Sequence, residues 1–153
     1  MSKKLFNAVL AGSAKRVQKL IDSGECVNKG DKYGDTPLHK AKTSEIAQIL
    51  IDAGADVNKF NFEGYTPLHY AETVELAKTL IDAKADVNAF CEFGATPLFF
   101  SETLEMTEFL IASGADVNAE DSFRRTAFDA ALECGVSEDI LKALVKAGAV
   151  SGE

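Results

Sequence analysis

This sequence predicts an all-α architecture built from stacked repeats, and three observations carry the prediction. A four-residue motif recurs in phase: Thr36-Pro37-Leu38-His39, Thr66-Pro67-Leu68-His69, Thr96-Pro97-Leu98-Phe99 and Thr126-Ala127-Phe128-Asp129 stand 30 residues apart. A second signature keeps that period, in Ala55-Asp56-Val57-Asn58, Ala85-Asp86-Val87-Asn88 and Ala115-Asp116-Val117-Asn118, with Glu25-Cys26-Val27-Asn28 as a worn first copy. Between the signatures, apolar residues fall on the spacing of one helix face. A fixed period of this length marks a solenoid, in which each repeat buries its apolar face only against its neighbours.

Each element has a local reason. Thr36, Thr66 and Thr96 carry hydroxyls suited to capping a helix, and the following prolines fill the first helical position, where no amide hydrogen is missed. Leu38 and Ala41, three apart, share a face, with the small residue admitting a second helix. That second helix begins almost at once. Thr43, Thr73 and Thr103 cap it, and Glu45, Glu75 and Glu105 place a carboxylate in its positive first turn. Ile46, Ala47 and Leu50, like Leu76, Ala77 and Leu80, form its apolar stripe. Gly24, Gly54, Gly114 and Gly148 supply the left-handed residue that ends it, and Lys84 takes that place in one copy at a cost of roughly 1 kcal/mol.

The two signatures resemble the ankyrin repeat, with its Thr-Pro-Leu-His-x-Ala pattern, and the resemblance runs from about residue 2 to about residue 149. It implies helix-loop-helix units with β-hairpin loops, about five repeats with the caps included, in a single domain over 1–153. Residues 1–29 are the N-terminal cap, 30–59, 60–89 and 90–119 the inner repeats, and 120–153 the C-terminal cap. A typical ankyrin unit has about 33 residues, and the count from Thr-Pro to glycine places the shortening of the inner copies between their two helices. The first and last copies have the fuller connections, Ala11-Gly12-Ser13 and Glu133 to Ser137. Their outer faces turn polar at Lys15, Arg16, Lys19, Lys142 and Lys146, as terminal repeats require.

Composition excludes several classes of function. No apolar run approaches the ~20 residues of a membrane span, and the first residues lack the apolar stretch of a secretory signal, so a cytoplasmic protein is expected, in its own cell or a host. Cys26, Cys91 and Cys134 are odd in number, widely spaced and without neighbouring histidine, which speaks against a disulfide framework or a zinc site. A net charge of −8 disfavours direct binding of nucleic acid. The charge is also polarised: residues 1–42 hold nine Lys/Arg against four Asp/Glu, residues 43–153 seven against twenty, a gradient from end to end in an elongated fold.

No catalytic constellation, phosphate loop or metal-spaced cluster is present, and no cofactor is expected. The resemblance implies that His39 and His69, the two histidines, bond to neighbouring backbone or threonine. The asparagines at 28, 58, 88 and 118 are expected to hold the hairpin turns. The loop-tip positions are more informative. The resemblance implies that partners are met by the hairpin tips and the exposed edge of the first helix. The variable positions there are 30, 32, 33 and 35 with their equivalents 30, 60 and 90 residues on. Seven of these sixteen are aromatic, in a chain with only thirteen Phe and Tyr.

The expected partner-binding set is therefore Tyr33, Asp35, Phe60, Phe62, Glu63, Tyr65, Phe90, Glu92, Phe93, Phe123 and Arg125, extended by Tyr70 and Phe100 on the first helix. Aromatic rings on a rigid row bury much apolar area at little entropic cost, and the flanking carboxylates favour a target with basic residues around an apolar spot. A structural alternative has Phe60, Phe90 and Phe123 stacking across neighbouring hairpins, with Phe99 and Phe100 packed inside. The function expected is a non-enzymatic, monomeric protein-interaction module that masks or inhibits its target. The alternatives are an acidic mimic of nucleic acid that fills a basic groove, and weak self-association through the same rings.

Overall fold

The computed structural model describes residues 3–152. Among them run α1 (Lys4–Leu10), α2 (Ala14–Asp22), α3 (Ser44–Asp52), α4 (Val74–Asp82), α5 (Leu104–Ala112), α6 (Ala127–Cys134) and α7 (Glu138–Lys146). Each of α3, α4 and α5 is preceded by a four-residue 3₁₀ turn, at Pro37–Lys40, Pro67–Tyr70 and Pro97–Phe100. The order is thus five successive helix pairs, the expected all-α repeat. The chain divides into two compact units, Met1–Asp86 and Val87–Glu153.

The second helix of each inner repeat forms as its sequence directs. Thr43, Thr73 and Thr103 accept the amide hydrogens of Ile46, Leu76 and Met106 at 3.2–3.3 Å. In the first unit, α2, α3 and α4 pack in series and α1 packs on α2 and on the Pro37–Lys40 turn. Val9, Val17, Leu38, Ile46, Leu50 and Leu80 are buried between them. In the second unit α7 packs on α5 and α6, and Leu98, Leu110, Ile140 and Leu144 form the buried layer.

The first helix of the inner repeats is shorter than expected and of a different kind. From the N-cap threonine of the first helix to the N-cap residue of the second there are seven positions in the inner copies, as from Thr36 to Thr43, and eleven in the last, from Thr126 to Ser137. The connections are equal in length, Ala41 to Thr43 against Gly135 to Ser137, so the shortening falls inside the first helix and not between the two. Four residues behind a proline close only the tighter bonds, His39 N–H to the Thr36 carbonyl and Ala41 N–H to the Leu38 carbonyl. The chain then extends through Ala41 and Thr43 into α3.

The hairpins form no strand among the described residues. Each tip closes on itself, as where the Asp31 N–H meets the Asp35 carbonyl at 2.9 Å. Among the described residues, neighbouring hairpins within each unit share a single backbone bond, Phe62 N–H to the Tyr33 carbonyl (3.0 Å) in the first and Ser122 N–H to the Phe93 carbonyl (2.8 Å) in the second. One bond per neighbour is too few for a ladder.

The four asparagines act between repeats and not within their own turns. Asn28 donates to the Gly54 carbonyl (2.8 Å) and accepts the Asp56 N–H (2.8 Å), so it clasps the helix end of the next repeat. Asn58 does the same to Lys84 and Asp86, Asn88 to Gly114 and Asp116, and Asn118 to Gly148 and Val150. Lys84 does adopt the left-handed backbone expected of it, at φ 73°. Lys84→Gly should therefore stabilise the protein by roughly 1 kcal/mol in urea unfolding, the cost of a Cβ at that angle.

Candidate protein-binding surface

The tips of the first, second and fourth hairpins are each set by one acceptor side chain, while the third, with Cys91 at that position, is closed by backbone bonds, Cys91 N–H to the Ala95 carbonyl (3.0 Å) and Gly94 N–H to the Cys91 carbonyl (2.9 Å). Asp31 Oδ1 accepts the amide hydrogens of Tyr33 and Asp35, Asn61 Oδ1 those of Glu63 and Tyr65, and Asp121 Oδ1 those of Phe123 and Arg125, all at 2.8–3.1 Å. Gly34, Gly64 and Gly94 then turn the chain with positive φ, and Arg124 does so at φ 63° in the last hairpin. In the loops of Asp31, Asn61 and Asp121 a short polar side chain thus does the work of a backbone turn.

This geometry turns the tip residues outward. Phe62 and Phe123 are 76% and 68% exposed, and Tyr33, Phe60, Phe90 and Phe93 are each more than half exposed. Tyr70 and Phe100 are exposed to a lesser degree, and Glu63 and Glu92 are exposed beside them. In the second unit Phe90 and Phe123 do not stack on each other. Phe99 is only half-buried, while Phe100 faces out.

Three expected contacts are built differently. Asp35 is 3% exposed, with its carboxylate held by Lys40 Nζ at 2.6 Å and Asn61 Nδ2 at 2.7 Å, so it supports the surface from beneath and is not open to a partner. Asn61 also donates to the Tyr70 hydroxyl at 3.2 Å, and Lys40 lies over the Tyr70 ring at 5.4 Å. Burial and the Asp35 charge push the Tyr70 phenol above its ordinary pKa, which keeps it neutral. Tyr65 is half-buried, its ring edge-on to Tyr70 and His69 at 5.6 and 5.4 Å. These residues fix the pose of Tyr70.

Arg125, half-buried, is committed to its own chain. Its guanidinium makes two bonds to Asp121 Oδ2, at 3.0 and 2.7 Å, and one to Glu133 at 2.8 Å, and it lies over the Phe123 ring at 5.1 Å. Burial alone would raise the Asp121 pKa, but the Arg125 side chain and the Arg125 and Phe123 amides outweigh it and hold the carboxyl below its ordinary range. The arginine orients Phe123.

The family described as Ankyrin repeats (3 copies) matches residues 5–91, more than half of the chain. This chain belongs to the ankyrin-repeat family. No individual curated protein matches it. Ankyrin repeats are in general protein-protein interaction modules.

The ankyrin motif also explains both histidines. His39 Nδ1 accepts the Thr36 amide hydrogen (3.0 Å) and hydroxyl (2.8 Å). A backbone N–H can only donate, so the neutral ring carries its hydrogen on Nε2, which meets the Tyr65 carbonyl at 3.0 Å. The Thr66 amide and hydroxyl meet His69 Nδ1 in the same way, at 3.1 and 2.9 Å. In the last repeat Asp129 replaces the histidine, accepting both Thr126 hydrogens at 2.8 Å and the Ser151 hydroxyl and Gly152 amide at 2.6 and 2.8 Å. Burial raises the Asp129 pKa, and these four donors overcome it and depress it far below the carboxylate range.

Phe99 can accept no such bond, and the buried Thr96 hydroxyl is left without a partner. Phe99→His should therefore stabilise the protein by about 1 kcal/mol in chemical denaturation, because an unpaired buried hydroxyl costs at least that much. Cys91, in the loop of the same repeat, is buried, and its place in the interior does not suit a reactive thiol; Cys26 and Cys134 are exposed and free. Among the described residues no group of three or more His, Cys, Asp or Glu is placed to hold a metal ion, and no helix is long and apolar enough to cross a membrane.

Sequence reasoning missed Lys40, Asn61 and Arg124. A signal for the first two existed: Lys40, Tyr70 and Phe100 share one repeat position, and Asp31, Asn61, Cys91 and Asp121 share another. Comparing copies at those positions exposes the switch between polar pairing and open ring.

Proposed function

We propose that this ankyrin-repeat chain is a non-enzymatic module that grips a protein partner with the aromatic tips of its hairpins and acts by masking or inhibiting it. The observation that carries the reading is the exposure of Phe60 and Phe62 in the first unit and of Phe90, Phe93 and Phe123 in the second, on loops closed by side-chain bonds at Asn61 and Asp121 and by backbone bonds at Cys91. Exposed rings lose water on binding without losing much conformational freedom, which is what an interface centre requires. Glu63, Glu92 and Glu120 lie exposed around them and suit a basic rim on the target.

The test is affinity capture with mass spectrometry, using Phe60→Ala/Phe90→Ala as control. Both positions are more than half exposed, so the helical circular dichroism should stay unchanged while partner capture falls by about 30-fold or more, from roughly 2 kcal/mol for a central ring. Unchanged capture by the double variant would refute the reading. Loss of capture on moving to ~0.5 M salt, with the double variant behaving as wild type, would instead identify an acidic mimic of nucleic acid.

A further inference from the structure

We infer that a cleft between α1 and the first hairpin receives an acidic, apolar-anchored segment of a partner protein. The cleft measures about 670 Å³, within the range of built ligand sites and more than a single carboxylate needs. Its apolar lining comes from Leu5, Phe6 and Leu10, and Leu10 is 61% exposed at the end of α1. Four lysines surround that apolar surface, Lys3, Lys29, Lys32 and Lys40, against two carboxylates, Glu25 and Asp31.

The sign of this cleft is opposite to that of the chain, whose net charge is −8. Asp31 spends one carboxylate oxygen on the amides of Tyr33 and Asp35, and Lys40 is paired with Asp35. Lys3 and Lys29 form no ion pair among the described residues, and Lys32 rests over the Tyr33 ring at 4.6 Å. Flexible ammonium groups round an apolar floor match a peptide that inserts one large apolar side chain and sets carboxylates on either side of it. The residues differ from the aromatic tips, so this inference stands or falls apart from the function proposed above.

Cys26 lines the cleft and is exposed, whereas Cys134, also exposed, lies outside it, which gives an internal control. The probe is a synthetic Asp/Glu peptide with one central Phe, and the readout is the iodoacetamide alkylation rate of each cysteine by peptide mass spectrometry on the full chain. The probe should slow Cys26 and leave Cys134 unchanged, and a version with Ser for the Phe, or Lys for the acids, should protect poorly. Lys29→Glu/Lys32→Glu should weaken protection by about tenfold, the effect of two exposed ion pairs. Leu10→Gln, at an exposed site that leaves the fold intact, should weaken it comparably, and Phe60→Ala/Phe90→Ala should not.

Equal rates at Cys26 with and without the probe, or equal slowing of both cysteines, would overturn the inference. So would slowing of Cys26 by protein concentration alone, which would assign the cleft to a second copy of the chain.

Discussion

His39→Ala is expected to destabilise the protein by about 3 kcal/mol, the largest effect of any exchange of a polar side chain in the first unit. The ring is 3% exposed and ties Thr36 to the Tyr65 carbonyl of the next repeat, so alanine leaves a cavity and strands the Thr36 amide and hydroxyl together. His39→Phe should cost less, about 1–2 kcal/mol, because it keeps the volume and forfeits only the bonds, as Phe99 does naturally. Urea midpoints of the two variants against wild type check both figures. An alanine variant as stable as wild type would show that the bonds across repeats contribute nothing.

The same residue predicts a pH dependence. Burial lowers the His39 pKa from its ordinary 6.5, partly opposed by the bond to the Tyr65 carbonyl. The unfolded chain then binds the proton more readily, so this contribution to stability is complete above pH 6.5 and is lost as pH falls below it toward the depressed folded value. The loss should be absent from His39→Ala. Asp129, whose pKa is depressed from 3.8, adds its own loss only at more acidic pH, below that value.

Gly34→Ala is the second large effect, expected at about 2–3 kcal/mol. At φ +82° a Cβ is strained on any account, and here it would meet the Phe62 backbone nitrogen at 2.9 Å, at the backbone bond from Phe62 to the Tyr33 carbonyl that joins the first two hairpins. Gly54→Ala is the control. Its φ is +85° but nothing lies within 4 Å of the added carbon, so it should cost about 1 kcal/mol. Amide exchange at Phe62 should quicken in the first variant and not in the second; equal stabilities for the two would remove the case for a seam between hairpins. Arg124 gives the natural parallel: a side chain accepted at φ 63° in the last hairpin.

Much of the fold could be read from the chain because its determinants are local. A capping threonine three residues before a buried apolar amide, or a glycine where the backbone turns left-handed, acts within one turn of helix and leaves the same mark in every copy. The shortened first helix was misplaced for a related reason. Sequence shows how many residues are missing between two signatures, but only the closing of bonds behind Pro37 shows that the helix, and not the connection, gave them up.

The surface divided differently. Its aromatic content, Phe60, Phe62, Phe90, Phe93 and Phe123 at equivalent places, was visible as a departure from ordinary turn composition. The fate of Asp35, Tyr65 and Arg125 was not, since a loop without a period gives no rule for which neighbour points inward. By itself the sequence determined the period, the helix ends, the left-handed sites and the family. Tertiary structure alone decided that Asp35 lies beneath the surface and Phe62 upon it, because that choice rests on Lys40, folded back from the turn of the same repeat, and on Asn61, brought to Asp35 by the packing of the next repeat.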